Sequence, residues 1–377
     1  MLPDENLLIQ GDNLAVLRAA LPQWRDSFRC VYIDPPYNTG TDRASPRAGY
    51  QDARSRSEYL DFLRDRLSLL REVLRPDGSL FVQLDDNELD RVKLLLDELM
   101  GEENFVSRVT VVARSPSAFS TVNRGVFKAT EYLLWYSRDR ERFRFNPQRV
   151  ARSPDPAYRR WLANPEDPCA QWRLVPLRAA LPPGADSAAF VVQNAARVCR
   201  LAVVNEKKAG KLIAAAKVRS LAEPGVVQRV DREGQEPIYL LGGQQLLFYA
   251  RQVSLIDGQP TASRPLTNLW DDIPWEGIAR EGGVQYKQGK KPERLLQRVI
   301  QLSTDPGDRV LDAFLGSGTT AAVAHKLGRR WVGIEQGPAF ELARERLQRV
   351  VDGQDPSGVA DDEARAGGFT ALKLPFQ

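Results

Sequence analysis

Histidine is almost absent from this chain: His325 is the only one among 377 residues. That leaves no imidazole network for a Ser-His-Asp hydrolase and no poly-histidine metal site, so no metal is expected. Cysteine is scarce too. Cys30, Cys169 and Cys199 are too few and too scattered for a disulfide framework or a zinc cluster. No run approaches the roughly 20 apolar residues that cross a bilayer. The opening MLPDENLLIQGDN lacks the basic and apolar regions of a signal peptide. The expected location is therefore cytoplasmic, away from any membrane.

What is present is an ordinary balance of 42% hydrophobic and 27% charged residues, enough for one large core or two modest ones. The net charge of +4 is unevenly spread. Ser107 to Arg160 holds twelve Lys or Arg against four Asp or Glu, so that block carries +8 and the remainder −4. Such a block is either a polyanion-binding surface or a solvated arginine-rich face.

Short apolar runs alternate with amphipathic segments at both ends of the chain. Near the start, Leu7–Ile9 and Val31–Ile33 read as strands, and residues 13–21 as a helix ended by Pro22. Residues 57–74 place Leu60, Leu63, Leu67, Leu70 and Leu74 at helical spacing behind Ser57. Ser79–Leu84 reads as a strand and residues 88–100 as a helix closed by Gly101. The pattern resumes after Lys291 with PERLLQRVIQLS, RVLDAF, TTAAVAHKLG, RWVGIE and PAFELARERLQRVV, and FTALKLP reads as an edge strand. Alternation of this kind predicts an α/β fold with a doubly wound, mostly parallel sheet. Between the two ends lie short, Pro-interrupted pieces that read as an inserted irregular region. The expected divisions are 1–106, 107–285 and 286–377, with the outer two forming one sheet.

In VLDAFLGSGTT, residues 310–320, a strand runs into Gly316-Ser317-Gly318 and directly into a helix. Glycines there permit a tight turn and close approach of a ligand to the helix N-terminus. Glu335 ends the next strand about twenty residues on, where an acid can bind both hydroxyls of a ribose. Ala321 occupies the third glycine position of the dinucleotide fingerprint, which favours an adenosyl ligand over a pyrophosphate. A plain glycine turn is the alternative. In CVYIDPPYNTGT, residues 30–41, an apolar strand stops at Asp34, Pro35, Pro36 and Tyr37. The prolines leave fixed carbonyl acceptors, Asp34 adds a carboxylate, and Tyr37 adds a ring that can stack on a heterocycle. An acceptor pair beside an aromatic plate suits an exocyclic amino group; a strand-ending turn is the other reading.

The two motifs together, with DPPYNTG first and FLGSGTT later, resemble the permuted β class of S-adenosylmethionine-dependent DNA amino-methyltransferases. LIQGDNLAVL, GKKPERLLQRVI, RPDGSLFVQLDDNE and MGEENFV resemble most closely the modification subunits of type III restriction–modification systems. The resemblance implies a Rossmann-like methyltransferase sheet and a target-recognition role for the inserted region. It implies Asp34, Pro35, Pro36 and Tyr37 as catalytic residues. Asp12, Asp312, Phe314, Gly316, Ser317, Gly318, Thr319, Glu335, Lys291 and Pro292 would hold S-adenosyl-L-methionine. Double-stranded DNA is the implied partner, together with a restriction subunit and a second copy of the chain. In FKATEYLLWYS the place where the family often carries a histidine reads Thr130-Glu131.

Asp as the first letter of the catalytic motif points to adenine N6, with cytosine N4 as the alternative; a catalytically inactive DNA-binding protein of the same fold is the non-enzymatic one. Attack at cytosine C5 would need a Pro-Cys nucleophile, for which Pro168-Cys169 is the sole candidate. Cys30 and Cys199 lie in apolar runs and read as core, and His325 as structural. Arg108, Arg114, Arg124 and Lys128 are the expected DNA contacts. The Arg-rich stretch 39–59 reads as a loop closing over DNA.

Overall fold

A computed structural model of the chain describes residues 5–38, 54–115, 126–204, 206–286, 289–355, 357–359 and 367–374. The chain divides into two compact units, one of Met1–Pro147 with Thr267–Gln377, the other Gln148–Leu266.

Among the described residues the first unit is built on nine strands: β1 (Asn6–Gln10), β2 (Phe28–Ile33), β3 (Leu74–Leu84), β4 (Phe105–Val112), β5 (Thr130–Ser137), β6 (Leu269–Trp270), β7 (Arg309–Asp312), β8 (Arg330–Glu335) and β9 (Phe369–Lys373). They lie in the order β6-β4-β5-β3-β2-β7-β8-β1-β9. Only β5 runs against its neighbours; every other pairing is parallel. The doubly wound, mostly parallel sheet expected from the alternation is thus present.

Helices α1 (Asn13–Trp24), α2 (Arg56–Val73), α3 (Leu89–Met100), α4 (Glu293–Ser303), α5 (Thr319–Lys326) and α6 (Ala339–Val351) connect or cover these strands. Asp12 caps α1 by accepting from the Ala15 amide. Helix α1 continues past Pro22 to Trp24. A proline so close to a C-terminus removes one hydrogen bond, and the buried Trp24 ring holds the last turn against the core. The cap of helix α2 is Ser55, two residues before the expected Ser57. Ser55 and Glu58 form a reciprocal capping box that satisfies two amides at once. Gly101, at φ 92°, closes α3 as expected. Tyr59, Leu63, Leu67 and Leu70 of α2 are buried with Val31 and Ile33 of β2 and Leu80 and Val82 of β3. Each such side chain contributes about 1.5–3 kcal/mol of hydrophobic stabilisation.

The second unit is antiparallel. The pieces that read as irregular pair into a six-stranded sheet, with Val198–Val203 between Gln244–Phe248 and Arg160–Leu162, and a three-stranded one. Its core contains Tyr158, Trp161, Val198 and Tyr249. This unit is narrower than the expected 107–285, because β4, β5 and β6 belong to the main sheet. Its two ends meet: the Leu266 amide donates to the Gln148 carbonyl at 2.9 Å.

The positions of β2 and β7 decide where a ligand can sit. They pair in parallel at the middle of the sheet, yet the chain leaves β2 toward β3 and leaves β7 toward β8, in opposite directions. The carboxyl ends of the two strands therefore flank a crevice with no crossover above it, the place where open α/β sheets bind ligands.

Candidate active site

A cavity of about 400 Å³ occupies that crevice, lined by Asp34, Pro35, Pro36 and Tyr37 at one end and Phe314, Gly316 and Glu335 at the other. Its acids, Asp12, Asp34, Asp312 and Glu335, are opposed by Arg54, Arg66 and Lys291. The size lies in the range of small-molecule sites.

At the β2 end, Asp34 follows Ile33, the last residue of a wholly buried strand. The Tyr37 hydroxyl donates to Asp34 Oδ1 at 2.8 Å and lies 3.0 Å from Glu131 Oε2. Lys291 Nζ lies 3.3 Å from Asp34 Oδ1, 2.8 Å from Glu131 Oε2 and 2.6 Å from the Tyr37 oxygen. Gln83 Nε2 completes the cluster with a 2.6 Å hydrogen bond to Glu131 Oε2. Burial raises the Asp34 carboxyl from 3.8 to about 6; the Lys291 charge opposes the rise and the Glu131 charge adds to it. Glu131 moves the other way. Burial alone would raise it, and Lys291 together with hydrogen bonds from Lys291, Gln83 and Tyr37 brings it below the ordinary value. The Tyr59 hydroxyl donates to the Pro36 carbonyl at 2.8 Å, which fixes the turn from behind.

At the β7 end the chain bends through Gly316 (φ 54°) and Gly318 (φ 82°) into α5. Both angles lie in the left-handed region that a side chain disfavours. A Cβ at Gly318 would also sit 3.2 Å from the Ala343 Cβ. Glu335 Oε2 accepts from the Gly316 amide at 2.8 Å, and Oε1 from the Gly337 amide at 2.7 Å. A carboxylate already occupies an amide of the turn, which disfavours a phosphate there. Burial raises the Glu335 carboxyl, and these amides moderate the rise. Asp312, at the end of β7, accepts from the Phe314 amide and the Thr320 hydroxyl. Burial pushes it up to about 7, with Asp34 and Glu335 contributing. Behind the turn, Arg346 binds the Thr319 hydroxyl at 2.7 Å and Glu293 at 2.7 Å, both fully sequestered.

Asp12 lies at the mouth of α1, bound to Arg66 at 3.1 Å. Arg66 in turn stacks 3.8 Å over the Phe62 ring, which meets Phe314 edge-on. Pro292 precedes α4, and Lys291 reaches the β2 end of the cavity, against Asp34. Ser317 and Thr319 are buried at the turn. The expected DNA contacts that are described lie on or beside the paired strands β4 and β5, each near an acid. Arg108 pairs with Asp90 at 3.0 Å, Lys128 with Asp86 at 3.6 Å, and Arg114 lies 4.0 Å from Glu131. Arg124 and residues 39–53 of the expected loop lie outside the described residues. Cys169 is on a short turn of the second unit and does not line the cavity. Burial pushes Cys30 and Cys199 up to about 12, as inert core thiols, and His325 is buried against Trp331.

Two residues of the cluster carry no role in the sequence reading. Glu131 and Gln83 arrive from β5 and β3, and both are buried. The available signal was a charge and an amide inside the apolar strands TEYLLWYS and SLFVQL, where an unpaired polar group would be costly.

The model of a family described as DNA methylase, of the N6 and N4 type, matches residues 28–345. A probable type III restriction-modification enzyme HindVI Mod subunit from Haemophilus influenzae is 32% identical, over 93% of this chain and 51% of its own. The type II methyltransferase M.EcaI from Enterobacter cloacae is 28% identical, over 94% and 71% respectively. The StyLTI Mod subunit from Salmonella typhimurium is 29% identical, over 84% and 49%. The chain thus spans about half the length of these two Mod subunits.

Proposed function

The chain belongs to the DNA methylase family, and from that premise we propose that it transfers a methyl group from S-adenosyl-L-methionine to the N6 amino group of an adenine flipped out of double-stranded DNA. The observation that carries this reading is one cavity with Asp34 and Pro35 at one end and the Glu335-braced glycine turn at the other. The relatives named as Mod subunits support a modification role in a restriction–modification system, with a restriction subunit as partner.

The residues fit the cofactor by their chemistry. Four acids line the cavity, suited to a ligand carrying sulfonium and ammonium charges. Glu335 would hold the ribose hydroxyls, Phe314 and Asp12 the adenine end, and Asp312 and the turn from Gly316 to Thr319 the remainder. Bound there, S-adenosylmethionine supplies an electrophilic methyl group.

The adenine amino nitrogen is a poor nucleophile, because its lone pair is delocalised into the ring. Asp34 and the Pro35 carbonyl accept its two hydrogens, so that the nitrogen can pyramidalise as it attacks. Each oriented acceptor is worth on the order of 10²–10³ in rate. Extrusion of the base from the duplex costs a few kcal/mol, and stacking on the Tyr37 ring offsets roughly 1–3 kcal/mol of that.

The test is product analysis after incubation with labelled S-adenosylmethionine and unmethylated bacterial DNA. Label in N6-methyladenine is expected. Label in N4-methylcytosine would overturn the base assignment while keeping the chemistry, and no label with the cofactor bound would overturn the reading. Asp34→Ala is expected to bind cofactor and DNA normally and to transfer nothing.

A further inference from the structure

The cluster around Asp34 is larger than the transfer reaction, as derived so far, requires. Asp34 and the Pro35 carbonyl account for the two acceptors. Lys291 and Glu131 have no part in that account, although each side chain is only 7% exposed. Burying two more charges is unfavourable unless they are paired and hydrogen-bonded, as these two are at 2.8 Å, and the pair is set against a third charge. Lys291 touches Asp34 directly, and Glu131 reaches it through Lys291 and Tyr37. Asp34 Oδ1 takes both the Tyr37 hydroxyl and the Lys291 ammonium, while Oδ2 is engaged by neither of these contacts.

The geometry assigns Lys291 and Glu131 as positioning residues for methyl transfer: Lys291 holds Asp34 ionised with Oδ1 pinned, and Glu131 fixes Lys291 and Tyr37 in the places from which they do so. This rests on the methyltransferase reading above. In the resting trio two carboxylates share one ammonium, leaving one negative charge. During transfer the nitrogen–methyl bond forms as the carbon–sulfur bond breaks, and that bond's electron pair stays on sulfur. The surplus proton on nitrogen passes to the Asp34 carboxylate and then to water. Accepting it makes the trio neutral, so the cluster is charged to receive one proton.

Several other groups face the trio, and none substitutes for Lys291. Tyr32 and Tyr37 come from β2 and its exit, Asp312 from β7, and each is neutral or acidic. Gln83 from β3 is uncharged and donates to Glu131. Asp85, just beyond β3, acts on the same field as Glu131. Arg114, following β4, is 4.0 Å from Glu131 Oε1 and largely solvent-exposed. Lys291 is therefore the cation in direct contact with Asp34 among the described residues.

The experiment is the pH dependence of single-turnover methyl transfer to DNA in wild-type protein, Lys291→Met, Lys291→Arg and Glu131→Gln. Wild-type rates should rise along an acid limb as Asp34 ionises. Lys291→Met should move that limb to higher pH by at least about one unit, so that transfer on the limb is about tenfold slower and recovers as pH rises. Glu131→Gln keeps an acceptor oxygen for Lys291 and Tyr37 and removes only the charge, so it should move the limb to lower pH, because one fewer carboxylate opposes ionisation of Asp34. Lys291→Arg should keep the wild-type limb. Equal slowing at every pH, or limbs that move in the same direction in Lys291→Met and Glu131→Gln, would overturn the proposal. If Lys291→Met does not fold, the Glu131→Gln limb decides. Failure of wild-type protein to methylate any base would instead overturn the methyltransferase reading, and that outcome is visible before any variant is made.

Discussion

Replacing Asp34 with Asn should make the protein more stable at neutral pH, by an amount that follows from its surroundings. The carboxyl rises from 3.8 to about 6 on folding, chiefly through burial. A raised carboxyl pKa means that the folded state prefers the protonated form, so ionised Asp34 weakens the fold. The penalty is absent below about pH 4, where both states are protonated. It grows between about pH 4 and 6 and is complete above that. A rise of about two units corresponds to on the order of 3 kcal/mol. Asn keeps the shape and an acceptor oxygen, and Lys291 retains Glu131 at 2.8 Å as its counter-charge. Urea unfolding at about pH 4, 5, 6 and 7.5 reads the difference directly. The two proteins should coincide at the lowest pH, and Asn should lead by on the order of 3 kcal/mol at the highest. A gap that does not change with pH, or wild-type protein more stable at pH 7.5, would mean that burial does not disfavour the ionised form of Asp34.

Other parts of the cavity yield sharper losses. Gly318→Ala combines a φ of 82° with a 3.2 Å approach to the Ala343 Cβ, and should destabilise by about 1–3 kcal/mol while weakening cofactor binding, read by thermal unfolding and calorimetric titration. Glu335→Gln takes the charged acceptor from the Gly316 and Gly337 amides. Affinity for S-adenosylmethionine should fall about ten- to a hundredfold in the same titration, with DNA retention in a gel unchanged. Arg346→Met strips the Thr319 hydroxyl and Glu293 of a buried donor; a loss of roughly 3–5 kcal/mol in denaturant unfolding is expected.

The parts of the site that the sequence displays are those in which local chain geometry and chemistry coincide. Asp34 to Tyr37 and Gly316 to Gly318 each end a strand, and each combines turn residues with functional atoms. The strand–helix alternation was legible for the same reason, since burial on a sheet imposes its own period. Glu131 was not legible as a partner of Asp34. The two come to share Lys291 and Tyr37 because β5 runs antiparallel beside β3, and reversed placement leaves no local mark. The boundary at 107 failed on β4, whose Ser107, Arg108 and Thr110 are only partly buried, so that composition resembled the polar stretch beyond it. The Ser57 cap gave way to Ser55 because Glu58 lies three residues after Ser55, the spacing a capping box needs. Charge density alone also does not show what these cations face. Arg108 and Lys128 face acidic partners already present, Asp90 and Asp86.

The 2.9 Å bond between the Leu266 amide and the Gln148 carbonyl has a consequence for how such a chain can change. Residues 148 to 266 leave and return through one doorway, with both jambs fixed by the same hydrogen bond. Lengthening or shortening what lies beyond adds little closure entropy to the rest, since doubling a loop costs only about 0.6 kcal/mol. The stretch can therefore lengthen or shorten at little closure cost to the unit that holds β2 and β7. Novelty in one unit and constancy in the other can then proceed at separate tempos along a single polypeptide.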